Sequence, residues 1–215
     1  SLGLVGSEMC IRDSYPSRPS GMSDELYELG YSGTSSSNIA MTSWRSSLLK
    51  SLMMWMDDSD SSNIDRLGHR RWIMNPTMQQ TGFGYAVSNS GAAYSSVYVF
   101  DYDRHNMDVT GVAWPAMVMP KRYFDSSSAW SYSYGSSLNG NVSVKLQCLT
   151  TGRERTWNFS SAASDGYFNV DNGGYGQKGC VIFKPDSISI QAGEDYEVTI
   201  TQDAAVIADY TVHFF

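Results

Sequence analysis

Between Val142 and Cys148 the chain alternates without a break: Val142, Val144, Leu146 and Cys148 fall on one side of a period-two pattern, and Ser143, Lys145 and Gln147 on the other. A helix cannot bury every second residue, whereas a strand with one face on a core does so at each step. The same reading extends to Ala129–Tyr134, Arg155–Phe159, Tyr167–Val170, Cys180–Lys184, Tyr196–Thr201 and Ala208–Phe215, each bounded by turn-forming residues. Seven short strands after residue 112 predict a two-sheet sandwich over 112–215.

The first half of the chain is different. From Met41 to Met56, Trp44, Leu48, Leu52, Trp55 and Met56 recur at helical spacing, with Thr42 as the expected N-cap. Met53, Met54 and Met56 fit adaptable core packing better than a metal site. Strands are expected at Gly82–Val87 and Ala93–Asp101, so the whole chain belongs to the α+β class. With 15 Lys and Arg against 22 Asp and Glu the net charge is -7, and no basic run offers the cationic surface that a phosphate backbone needs. No apolar run approaches the roughly 18 residues of a membrane-spanning helix. Neither nucleic acid nor a membrane span is therefore expected.

Residues Leu4–Ser14, LVGSEMCIRDS, resemble a translated sequencing adapter, and Glu8–Ser14 match one reading frame of a transposon-end adapter. Residues 1–14 are accordingly expected to be a non-native tail, with native sequence from about Tyr15 and the preceding part of the gene missing. Without Cys10 only Cys148 and Cys180 remain, too few for a four-cysteine zinc site or a dense disulfide framework. Those two are either bridged or a pair of buried thiols. If Tyr196 opens the next-to-last strand, they are expected on neighbouring strands of one sheet, where a bridge is strained.

The segment Leu67–Ala86, LGHRRWIMNPTMQQTGFGYA, sets His69 before an apolar Trp-Ile-Met, an Asn75-Pro76 turn and a Gly82-x-Gly84 strand. It resembles the bacterial, SCP-like extracellular branch of the CAP superfamily, which carries a His-Arg-x-Asn-Ile-Leu-x-Pro segment before a Gly-x-Gly strand. Trp55-Met56 matches that family's upstream Trp-Met pair, Ser36-Ser37-Asn38-Ile39-Ala40 stands where Gly-Glu-Asn-Ile-Ala is usual, and Tyr15-Pro16-Ser17 looks like the stretch after the first site His. The resemblance implies a partial CAP α-β-α sandwich domain over 15–111. Residues 112–215, through Trp114-Pro115, Pro120, Trp130-Ser131 and the two final strands, look like the immunoglobulin-like β-sandwich that often follows it.

The family cleft joins two His and two acidic residues. Here the resemblance implies a candidate cleft of His69, Ser37, Asn38, Asp57 and Asp58, with Ser37 in place of the first Glu, Trp72 in place of the motif Asn, and Asp57 or Asp58 as the second acid. The first His would lie upstream of Tyr15. No catalytic residue and no cofactor is expected in this chain; His69 becomes a ligand to a divalent metal only if the upstream sequence is restored, since zinc sites want at least three protein ligands. The implied function is a secreted or cell-surface binding module for a small-molecule, lipid, glycan or protein ligand. The alternatives are a metal-assisted hydrolase using the cleft, or adhesion through the aromatic-rich sandwich.

Three further patterns are read as structural. Gly174-Tyr175-Gly176-Gln177-Lys178-Gly179 leads into a strand and reads as a turn rather than a phosphate loop. Asp101-Tyr102-Asp103-Arg104-His105-Asn106 lacks the glycine and the final Glu of a calcium loop. His213 has no acidic neighbour along the chain and reads as structural or exposed.

Overall fold

The computed structural model describes Arg18 and residues 20–105 and 109–215. The adapter-like segment, Tyr15-Pro16-Ser17 and Asn106 lie outside the described residues. The first half runs α1 (Asp24–Ser35), β1 (Ser37–Thr42), α2 (Leu48–Asp57), α3 (Gly68–Ile73), β2 (Phe83–Val87) and β3 (Ala93–Tyr98). The three strands form an antiparallel sheet in the order β1-β3-β2. Helix α2 lies on one face of it: Trp55 is buried with Ala40, Val97 and Val99, and the Ser51 hydroxyl donates to Ser95 Oγ at 2.9 Å.

The expected helix over Met41–Met56 is shorter at its start. Thr42 ends β1, and the N-cap is Ser47, whose hydroxyl accepts from Lys50 N. Trp44, counted into the apolar stripe, is 81% exposed. At the other end Asp58 takes a left-handed conformation (φ 46°) and its N–H bonds to Met54 O, closing α2. Strand β3 ends at Tyr98, short of Asp101.

The second half holds β4 (Val112–Trp114), β5 (Val118–Met119), a short 3-10 turn (Lys121–Tyr123), β6 (Trp130–Ser133), β7 (Val142–Cys148), β8 (Arg155–Ser160), β9 (Gly166–Asp171), β10 (Cys180–Pro185), β11 (Asp195–Gln202) and β12 (Ala205–Phe214). One sheet has the order β4-β6-β10-β9 and the other β5-β12-β11-β7-β8. All seven expected strands are present; β4 and β5, three and two residues long, are too short to carry a visible period. The sheets share one core. Trp130 is fully buried at its centre, its ring 5.6 to 5.9 Å from those of Phe124, Phe183, Tyr196 and Phe214.

Strand β10 explains how the halves meet. Val181 and Phe183 face the sandwich core, while Cys180 and Ile182 pack with Leu67 and Ala129 on the outer side. A strand covered on both faces reads as a continuous apolar run, which is what Cys-Val-Ile-Phe is; β7, covered on one face, alternates.

One expectation fails here, because strand pairing is set by topology. Cys148 and Cys180 are not on neighbouring strands of one sheet: β7 and β10 belong to different sheets. Cys148 points into the sandwich core and Cys180 out of it, so both are free, buried thiols. His213 is exposed, within the expected reading, and across β11 and β12 it meets Asp195, 18 residues away in the chain, with Nδ1 2.7 Å from Oδ1.

Candidate functional site

Helix α3 begins at Gly68 after Leu67, which holds φ 50° and has no side chain able to cap. Its first N–H groups would otherwise lack partners. Asp58 supplies the missing acceptor from ten residues upstream. Its Oδ2 accepts from His69 N at 2.9 Å and Arg70 N at 3.3 Å, and its Oδ1 lies 2.9 Å from His69 Nδ1. The carboxylate is 2% exposed and the His69 side chain 17%. A negative group at a helix start is favoured by the peptide dipoles as well as by the hydrogen bonds. Asp58 thus closes α2 with its backbone and opens α3 with its side chain.

Asn38 joins the same cluster from β1. It is buried, and its Nδ2 donates to His69 O at 2.9 Å. Ser37, the next residue along the strand, projects to the opposite face by the pleat. Its hydroxyl donates to Gly33 O at 2.6 Å, at the end of α1. Asp57 ends α2 with its side chain exposed and only its carbonyl facing inward. Of the five candidate cleft residues, Asn38, Asp58 and His69 come together; Ser37 and Asp57 stand apart from them.

The residues next to His69 do more than the sequence suggested. Arg70 is fully buried, and it donates through Nε to Met56 O at 2.6 Å, through Nη2 to Asp57 O, and through Nη1 to Ala129 O at 2.8 Å and Ser131 Oγ at 3.1 Å. Burial pushes its pKa down to about 10, opposed by the charge of Asp58, so it stays protonated at neutral pH. Arg71 turns to the loop between β9 and β10: it donates to Gly173 O and Gln177 O at 2.6 Å and to the Asp171 carboxylate, with its guanidinium 5.1 Å from the Tyr175 ring centre. That loop is the Gly174–Gly179 segment, a turn as expected. Gly176 adopts φ +72°, and a Cβ there would stand 2.8 Å from Arg71 O. Nothing near His69 signals the partners in the second half locally, since they lie between 59 and 106 residues further along.

Asp101 has a similar structural task. Its carboxylate accepts from Gln80 N, Gln79 N at 2.9 Å and Asp103 N at 3.0 Å, and the bonds from Gln80 and Asp103 draw its pKa below the usual carboxylate value. Those bonds tie the end of the β3 segment to the loop after α3.

A divalent metal does not fit the residues gathered at His69. The adjacent carboxylate already takes two backbone N–H groups and the ring nitrogen, and the hydroxyl at the usual acidic position points to the other face. Among the described residues, no three His, Cys, Asp or Glu side chains converge as a metal centre. The cavity between the arginines and the sandwich, lined by Arg70, Arg71, Ser131, Ser133 and Gln177 among others, encloses about 10 Å³, room for no more than one water-sized molecule.

The sheet with α2 above it and an α3 that carries His69 agrees with the family indicated by the motif. The model of the cysteine-rich secretory protein family, CAP, matches residues 6–102, which supports a CAP-superfamily domain in this part of the chain. The match opens at residue 6, ahead of the first described residue, and closes just past β3. No curated protein matches the chain. No described helix is long and apolar enough to cross a membrane.

Proposed function

We propose that this chain is a secreted or cell-surface CAP-domain protein acting as a non-catalytic binding module, with the His69 edge of the first domain as the surface a ligand or partner meets. The observation that carries this reading is the commitment of Asp58. A carboxylate acting as a metal ligand, or itself as a general base, must turn an oxygen to the ion or the substrate. The Asp58 oxygens are turned to the start of α3 instead. The extracellular assignment rests on the family alone. The nine-stranded second half, proposed as an immunoglobulin-like module, serves as a rigid backing: Arg70 and Arg71 hold it against α3, which favours a fixed platform over a swinging spacer. Adhesion through sandwich aromatics has less support, since Trp130, Tyr132, Trp157, Phe159, Phe183, Tyr196, Tyr210 and Phe214 are buried in the core.

The test is a thermal-shift screen of lipid, glycan and small-molecule libraries with the chain and its His69→Ala variant, alongside hydrolysis assays on peptide, ester and glycan substrates. A ligand that stabilises the parent but not the variant, without turnover, supports the proposal. Turnover that disappears with His69→Ala overturns it in favour of the hydrolase.

A further inference from the structure

Strand β2 has a single sheet neighbour among the described residues, β3, and so presents an edge. The phase of its hydrogen bonds is set at both ends: Tyr98 N donates to Gly82 O at 2.9 Å and Ser88 N to Ala92 O at 2.8 Å. Antiparallel strands exchange bonds at every second residue. Gly82, Gly84, Ala86 and Ser88 therefore turn their backbone groups to β3, while Phe83, Tyr85 and Val87 turn theirs outward. Those same residues are 52%, 46% and 39% exposed, with side chains on one face of the strand.

Edges of this kind are normally blunted by charge, Pro or a bulge. Here no Asp, Glu, Lys, Arg or His occurs anywhere from Trp72 to Phe100, β2 has no Pro, and its register with β3 is unbroken. The edge is also complementary to itself. Antiparallel pairing of two copies about Tyr85 sets Tyr85 against its own counterpart and Phe83 against Val87, and every outward N–H and C=O of those residues then has a partner. A twofold axis through that point keeps the apolar side chains of both copies on the same face, as closed isologous contacts require.

We infer that β2 is a self-association edge, through which two copies of this chain join their three-stranded sheets into one continuous sheet centred on Tyr85. Phe83 and Tyr85 each offer about half of the 150–250 Å² that an aromatic side chain can bury, so the contact is small and the dimer concentration-dependent.

Sedimentation equilibrium of the full chain from about 5 μM to about 500 μM reads this directly, in a Cys10→Ser background so that only introduced thiols are accessible. The expected result is a mass rising toward twice 23.8 kDa in the parent. Val87→Lys and Phe83→Lys, both at exposed positions, should stay monomeric with unchanged far-ultraviolet circular dichroism. Under mild oxidation Tyr85→Cys should cross-link to itself, and Phe83→Cys alone should not. A parent that is monomeric throughout, a dimer indifferent to both lysines, or equal cross-linking of the two cysteine variants overturns the inference. So does a monomeric parent whose β2 amide resonances shift on adding an unrelated extended peptide, which would assign the edge to another partner.

Discussion

Replacing Arg70 by Met keeps an unbranched side chain of similar length in the seam but removes every donor. Four acceptors would lose their partner at once: Met56 O and Asp57 O at the end of α2, and Ala129 O and Ser131 Oγ at the start of β6. A buried acceptor left without a donor costs about 1–3 kcal/mol. The parent already bears the desolvation of a guanidinium, and relief of that burden offsets part of the loss, which brings the expected destabilisation to about 3–5 kcal/mol. That is a large share of the roughly 5–15 kcal/mol by which a domain is stable. Urea unfolding followed by Trp fluorescence and by far-ultraviolet circular dichroism measures it, since Trp55 and Trp72 report on the first half and Trp114, Trp130 and Trp157 on the second. The parent should unfold with coincident transitions. Arg70→Met should unfold the first half earlier than the sandwich, and Arg70→Lys, which keeps the charge with fewer donors, should fall between. A loss below about 1 kcal/mol with coincident transitions would refute the reasoning that Arg70 joins the two halves.

Asp58→Ala removes the acceptor that starts α3 and should cost about 2 kcal/mol in chemical denaturation, with Asp58→Asn costing less because it keeps one acceptor and tolerates the left-handed backbone. Ala204 sits at φ 68° in the turn between β11 and β12, so Ala204→Gly should raise stability by a few tenths to about 1 kcal/mol; a fall in midpoint would count against backbone strain there. The folded pKa of Asp101 lies below its ordinary value, so the stability it contributes is present above that value and is lost as pH falls through the folded one. Denaturant midpoints measured downward from pH 6 should therefore drop in the acid range, and less steeply in Asp101→Asn. In a Cys10→Ser background, Cys148 and Cys180 should react with a thiol reagent only after unfolding, the Cys180 thiol being further protected by burial that pushes its pKa up; mass spectrometry should find no bridge between them.

What the sequence discloses, and where it stops, follows from the range of the interactions. β7 is legible because one-sided burial writes a period of two into its residues, and β10 because two-sided burial writes an unbroken apolar run. The start of α2 is misread because Trp44 fits the helical spacing while lying in an exposed connection, where Ser47 provides the cap. At the candidate site, the motif residue His69 lies on the short helix α3, and Asn38 and Asp58 do meet it there. The pleat separates Ser37 from Asn38, which a matched motif cannot convey. The motif does not disclose what Arg70 and Arg71 hold in the second half, since those groups come from a sheet and a loop far along the chain. The opposite facing of Cys148 and Cys180 and the pairing of His213 with Asp195 likewise depend on strand order rather than on neighbouring residues.

The measurement that bears most directly on the central claim is a calorimetric titration of zinc into the chain and into His69→Ala, at neutral pH and in the Cys10→Ser background. With the Asp58 carboxylate committed to α3, binding should be weak, with a dissociation constant above about 10 μM, and indifferent to the substitution. Tight, stoichiometric binding that His69→Ala abolishes would contradict the account and put a metal-assisted reaction at His69.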